Sequence, residues 1–172
     1  NFTMGLRDIK LAKGWYLQGQ YTTLADRNPW FHMSGMWGTI NSSETIETVI
    51  THVKDKFMFN MGNMHTTTNF DSGLVTNVTP IDSVWGEISW RNEGLRLAVG
   101  SMPYVVKGDI DVRLPSTIDS QGIVHHDTFN FEIENQFATY SSVNYTNSFR
   151  NINYTLGAYN NTLGFYQAQV KL

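Results

Sequence analysis

The residues able to do chemistry are few and scattered. The histidines are His32, His52, His65, His125 and His126. No two of them stand at the His-x-x-x-His spacing that sets a pair of imidazoles on one helical face. His125 and His126 point to opposite faces of an extended chain, so they cannot ligate one metal without a bend. They are expected to be exposed loop residues. Gly100-Ser101-Met102-Pro103 has the outline of a nucleophile segment but lacks the small residues and helix start that a nucleophile needs. It is therefore expected to be a strand-ending turn. Asp109 and Asp111 share one face of an alternating segment, and Asp119 follows in the next loop. Oxygen-rich loops of this kind can hold calcium, while ordinary solvent-facing alternation explains Asp109 and Asp111 equally well. The chain has no cysteine, so disulfides, thiolate zinc sites and cysteine nucleophiles fall away together. With no Gly-x-Ser-x-Gly elbow and no phosphate-binding Gly-rich loop, the expectation is a chain with no catalytic, cofactor-binding or metal-binding residue, and not an enzyme.

Two further sets of residues recur. Asn-x-Ser/Thr triplets begin at Asn1, Asn41, Asn77, Asn144, Asn153 and Asn160. They could mark glycosylation, but alternation in an Asn/Thr-rich chain also places these residues two apart by construction. Trp15, Trp30, Trp37, Trp85 and Trp90 each lie near an expected strand end or on an apolar face. They suit an interfacial girdle of a membrane barrel, the core or interface of a soluble sandwich, or a carbohydrate-stacking platform.

The elements that must carry these residues are strands. Gly14 to Tyr21 alternates, with Trp15, Leu17 and Tyr21 on one face and Gln18 and Gln20 on the other. Ala25 to Pro29 is a turn, and Trp30 to Ile40 reads as the return strand, broken at Asn41-Ser42-Ser43. Glu44 to Val53 and Phe57 to Thr68 are strands about a charged turn, Lys54-Asp55-Lys56. Asn69 to Asp82 reads as a loop. Val84 to Trp90 and Leu95 to Gly100 form a hairpin about Arg91-Asn92-Glu93-Gly94. Asp109 to Leu114 alternates and ends at Pro115. Phe129, Phe131 and Ile133 alternate with polar residues. Long strands fill Gln136 to Leu172, with turns near Asn147-Ser148 and at Asn160-Asn161-Thr162. In the last strand, Leu163 to Leu172, an apolar face of Tyr166, Ala168, Val170 and Leu172 opposes Gln167, Gln169 and Lys171. The only helical candidate is Arg7 to Lys13.

Composition bounds the class. The 172 residues carry 12 basic and 15 acidic side chains, a net charge of -3, so nucleic acid is not an expected partner. Charged residues make up 16%, against about 25% in ordinary soluble domains, while aromatics reach 13%. No apolar run approaches the roughly 20 residues of a spanning helix. Without a signal peptide, and starting at Asn1, residues 1–172 are expected to be a single β domain processed from a longer precursor.

Leu24 to Trp30, Met36-Trp37-Gly38, Thr66 to Asn69 with Gly73-Leu74-Val75, Val84 to Glu87 and Val99 to Pro115 together resemble one family. It is the C-terminal, β-rich, autotransporter-like region of subtilisin-like serine peptidases of marine gammaproteobacteria. The resemblance spreads over most of the chain and carries over no catalytic residue, because the peptidase core is absent from it. It implies a non-catalytic outer-membrane barrel that anchors or translocates an upstream secreted peptidase. The expected fold is all-β and antiparallel, a small up-and-down barrel of about eight strands whose last strand closes on its first. Its partner would be outer-membrane lipid. The alternative is a soluble β-sandwich, cleaved from the same kind of precursor, that assembles with sister subunits into an extracellular fibre or tube as a homo-oligomer.

Overall fold

A computed structural model describes residues 2–149, 152–162 and 166–171. The chain is all-β and every ladder in it is antiparallel. In chain order the strands are β1 (Phe2–Ala12), β2 (Trp15–Ala25), β3 (Gly38–Lys54), β4 (Phe57–Ser72), β5 (Val75–Val78), β6 (Ile81–Asn92) and β7 (Leu95–Ser101). They continue as β8 (Tyr104–Lys107), β9 (Asp109–Ile118), β10 (Val124–Glu132), β11 (Thr139–Phe149), β12 (Ile152–Asn161) and β13 (Tyr166–Lys171). One large sheet runs β1-β2-β3-β4-β6-β7-β11-β12-β13, with β8 beside β6 as its tenth strand. A separate sheet of three strands runs β10-β9-β5.

The connections of the large sheet differ by end. Lys13-Gly14, Asp55-Lys56 and Glu93-Gly94 are two-residue turns, and two residues also separate β11 from β12. All of these lie at one end, because consecutive strands of the path are antiparallel neighbours. At the other end lie the longer connections 26–37, 73–80 and 102–138. The three-stranded sheet is built wholly from the last two.

Five expectations change. Asn69 to Asp82 is not one loop: its first four residues finish β4, Val75–Val78 form β5 and Ile81 opens β6. Arg7 to Lys13 is not helical: it belongs to β1 and its turn, where register shifts between Leu6 and Ile9 and between Lys10 and Ala12 break the period of two. Trp30 to Ile40 is not a return strand. The side-chain oxygen of Asn28 accepts from the Trp30 amide at 2.7 Å, and one 3₁₀ turn spans Gly35–Trp37. Its alternation instead turns Phe31 and Met33 into a small apolar core with Ile40, Val75, Val78 and Val112. Asn41 does not end the strand, because a bulge absorbs it and β3 continues. Pro115 does not end β9: β5 has stopped pairing by then, and a register shift opposite His125-His126 takes up the irregularity.

β1 and β13 are the two ends of the large sheet, and among the described residues no ladder joins them. The facing of Tyr166, Ala168, Val170 and Leu172 lies outside the residues whose side chains are described.

The Glu93-Gly94 turn holds β6 and β7 together with φ of 45° and 84° at its two residues, as a type I′ hairpin requires. A Cβ on Gly94 would stand 2.2 Å from the Thr146 carbonyl oxygen of β11. Gly94→Ala should therefore destabilise the sheet by about 1–3 kcal/mol, read as a lower urea midpoint. An unchanged midpoint would mean that the turn can relax away from β11.

Candidate functional surfaces

The two faces of the large sheet differ in both chemistry and exposure. Cα partners across each ladder present their side chains to the same side, so the registers define the faces. One face carries Phe2, Met4 and Leu6 of β1, then Trp15, Leu17 and Tyr21, Ile46 and Ile50, and Phe57, Phe59 and Met61. It continues through Val84, Ile88 and Trp90 to Leu97 and Val99, Val143 and Tyr145, and Leu156. The opposite face carries Gln18 and Gln20, Thr45, Glu47 and Thr51, Asn60 and Thr66, Ser83, Glu87 and Ser89, Arg96, Ser142 and Asn144.

Exposure runs opposite to ordinary soluble patterning. On β6, Val84 is 42% and Ile88 54% exposed, while Ser83 and Ser89 on the other face are 0% and 1% exposed. Met61 is 65% and Val99 62% exposed, while Thr66 is fully buried. The polar face is therefore the sheltered one, and the apolar face is the exposed one. Soluble monomers seldom expose an apolar patch beyond about 300–600 Å². Among the described residues this one runs across eight neighbouring strands, β1 to β12 along the sheet.

The apolar face is a band with defined edges. On β3 the band lies between Glu44 and Lys54, which share its face. Ten residue steps of about 3.3 Å, tilted by about 40°, give a height near 25 Å, the apolar span of a membrane barrel. At the short-turn end the rings cluster. Trp15 lies 4.4 Å from His52 between ring centroids, and His52 lies 6.2 Å from Phe59. Phe57 pairs with Trp90 at the same level. At the long-connection end, His65 and Asp82 face each other at 2.6 Å. Amphipathic rings and charges at the rims of an apolar band are what lipid–water boundaries select.

The sheltered face carries a polar network that crosses several strands. The Trp85 indole donates to Glu47 at 2.9 Å. Glu87 accepts from Asn60 at 3.2 Å and from the Tyr140 hydroxyl at 2.7 Å, and it pairs with Arg96. Thr51 donates to Asn60 at 2.8 Å. The rings of Tyr140 and Tyr159 stack at 5.5 Å. At the long-connection end, segment 26–37 folds onto this face. Asn28 donates to Thr68 at 2.6 Å and the Trp30 indole donates to Thr66 at 3.2 Å, while Thr66 also bonds Thr45 at 3.0 Å.

The residues singled out from sequence do not converge. Ser101 ends β7 and its hydroxyl accepts from the Gly86 amide at 3.0 Å, a structural contact. Asp109 and Asp111 lie two residues apart on one face at the start of β9, as expected, while Asp119 stands just beyond its other end, so the three do not meet. Asp111 is held by Asn77 and Asn130, at 3.0 Å and 2.8 Å. Asp119 shapes the β9–β10 turn by accepting from the amides of Gln121 and Ile123. Among the described residues no three metal-ligating side chains come together. His125 and His126 sit on exposed β10 rather than in a loop, with His125 3.4 Å from Asp119. Asn41 bonds Asp71 and Asn77 bonds Asp111, whereas Asn1 and the side chain of Asn153 lie outside the described residues. The Glu47, Glu87, Arg96 and Tyr140 network escaped sequence analysis because its members come from distant strands. The one local signal was Glu87, a charge at an inward position of an otherwise apolar segment.

Compared with known protein families, curated proteins and solved structures, the chain finds no match.

The hydrogen bonds from Asn130 and then Asn77 lower the pKa of Asp111 below its ordinary 3.8. Backbone hydrogen bonds from Ile123 and Gln121 do the same for Asp119. A depressed carboxylate stabilises the folded state above its unfolded pKa, and that contribution is lost as pH falls through the folded value. The three-stranded sheet should therefore keep these contributions above pH 3.8 and lose them below it. In a carboxyl NMR titration both groups should titrate below 3.8, and Asn130→Ala should return Asp111 toward it. An Asp111 titration indifferent to Asn130 would contradict the assignment.

Proposed function

We propose that this chain forms wall of an outer-membrane β-barrel, with its apolar face in lipid and its polar face lining an aqueous passage. The observation that carries this reading is the inverted exposure: large apolar side chains outermost, serine, threonine and the Glu87–Arg96 pair sheltered. Lipid would cover an apolar band of about 25 Å, and its strands satisfy one another's backbone groups as hydrocarbon demands. Short turns at one end and long connections at the other follow the build of such barrels. Anchoring or translocating an upstream passenger, which the family resemblance implies, needs only that wall. Segment 26–37, folded onto the polar face, would narrow the passage near its mouth. The competing reading, a secreted domain whose apolar face is covered by sister subunits, predicts a different response to charge.

Ile88→Arg is the discriminating substitution. In phosphatidylcholine vesicles it should cost about 2–4 kcal/mol if Ile88 lies at mid-depth. On the competing reading a sister subunit covers Ile88 in water, so the substitution should instead split the assembly, read as a lower mass by light scattering, with the protein staying in the aqueous phase. Ser142→Arg, on the polar face, should matter much less in vesicles. Equal tolerance of both, with the protein staying in the aqueous phase, would refute the membrane reading. For the passage, Trp30→Ala frees segment 26–37 from Thr66 and should raise single-channel conductance in planar bilayers. An unchanged conductance would place the constriction elsewhere.

A further inference from the structure

We infer that the large sheet is completed by an odd number of additional membrane-crossing strands, pairing with β1 at one edge and β13 at the other. The inference rests on the membrane reading above. Each ladder along β1-β2-β3-β4-β6-β7-β11-β12-β13 is antiparallel. The path has nine strands, so its first and last run in the same direction. The β1 edge lies at membrane depth, because Met4 pairs with Tyr21 and Leu6 with Gly19, and Tyr21 in turn pairs with Ile46. Backbone groups of β1 that point away from β2 have no water to bond there, and hydrocarbon does not tolerate an open edge.

Three occupants are conceivable for that edge. β13 of the same chain would meet β1 in parallel, the only such seam in an otherwise antiparallel sheet. A second copy inserted in the same orientation would bring its own β13 to β1, again in parallel. One further strand, or any odd number, runs opposite to both β1 and β13 and keeps the whole sheet antiparallel. The occupant is therefore a set of strands from polypeptide outside these 172 residues, alternating apolar residues toward lipid and polar residues inward.

These 172 residues hold no cysteine, so the introduced pairs are their only thiols. The native full-length protein in phosphatidylcholine vesicles would carry Thr3→Cys paired with Gln167→Cys, Gln169→Cys or Lys171→Cys. Thr3→Cys with Thr22→Cys is the positive control, since these are Cα partners whose hydroxyls lie 3.3 Å apart. The expected result is oxidation of the control, none of the three β1–β13 pairs, and slow amide exchange of β1 matching that of β2. A cross-link within one chain would show closure of β13 on β1, and one between differently tagged copies would show a second copy. Rapid exchange along β1 would show an unpaired edge. Each of these outcomes overturns the inference while a membrane-embedded protein leaves the barrel reading standing. Recovery of the protein in the aqueous phase fails that reading itself.

Discussion

The structure depends on how a sheet with one apolar and one polar face disposes of each. Folding in water turns the apolar face inward, because burying it supplies most of the driving force. Here the exposure is reversed: Ser83, Ser89 and Thr66 are buried, and Ile88, Met61 and Val99 are exposed. On the proposed reading lipid covers that exposed face. The rings gathered at one end of the band, and the charges of Glu44 and Lys54 that bound it on β3, fit that condition.

The polar face has its own requirement. Glu87 is a carboxylate in a sheltered place, and it is tolerable because Arg96, Asn60 and Tyr140 all bond to it. These partners come from β4, β7 and β11, so the network ties the middle of the sheet together across strands far apart in sequence. Segment 26–37 adds a second tie through Thr66 and Thr68. The two faces of the sheet are therefore coupled. Shifting one strand by a single residue would exchange its apolar and polar side chains all along it.

Much of the large sheet was legible in the sequence, and the reason is physical. Trp15/Leu17/Tyr21, Phe57/Phe59/Met61, Val84/Ile88/Trp90 and Leu95/Leu97/Val99 alternate because each strand has two unlike faces, and the registers place each set as its phase implied. Alternation does not say which face is outermost, since that depends on the curvature of the assembled sheet. β1 escaped because the register shifts around Arg7 and Asp8 disturb its period. Segment 26–37 misled for the opposite reason. Phe31 and Met33 alternate with polar neighbours while packing into a core, with no strand beneath them. The carboxylates Asp109, Asp111 and Asp119 looked close in sequence, but an extended strand of ten residues holds Asp119 far from the other two.

The bulge at Asn41 has a meaning beyond its local geometry. Below it, the even-numbered residues of β3, Ile46 and Ile50, point outward; above it, Ile40 pairs with Phe70 and is buried among Met33, Val75 and Val112. One inserted residue thus reverses the phase of the strand. On the proposed reading, isoleucines of the same parity meet acyl chains on one side of Asn41 and a protein core on the other. The extra residue lies three positions beyond Glu44, so the strand changes its phase only after leaving the apolar band.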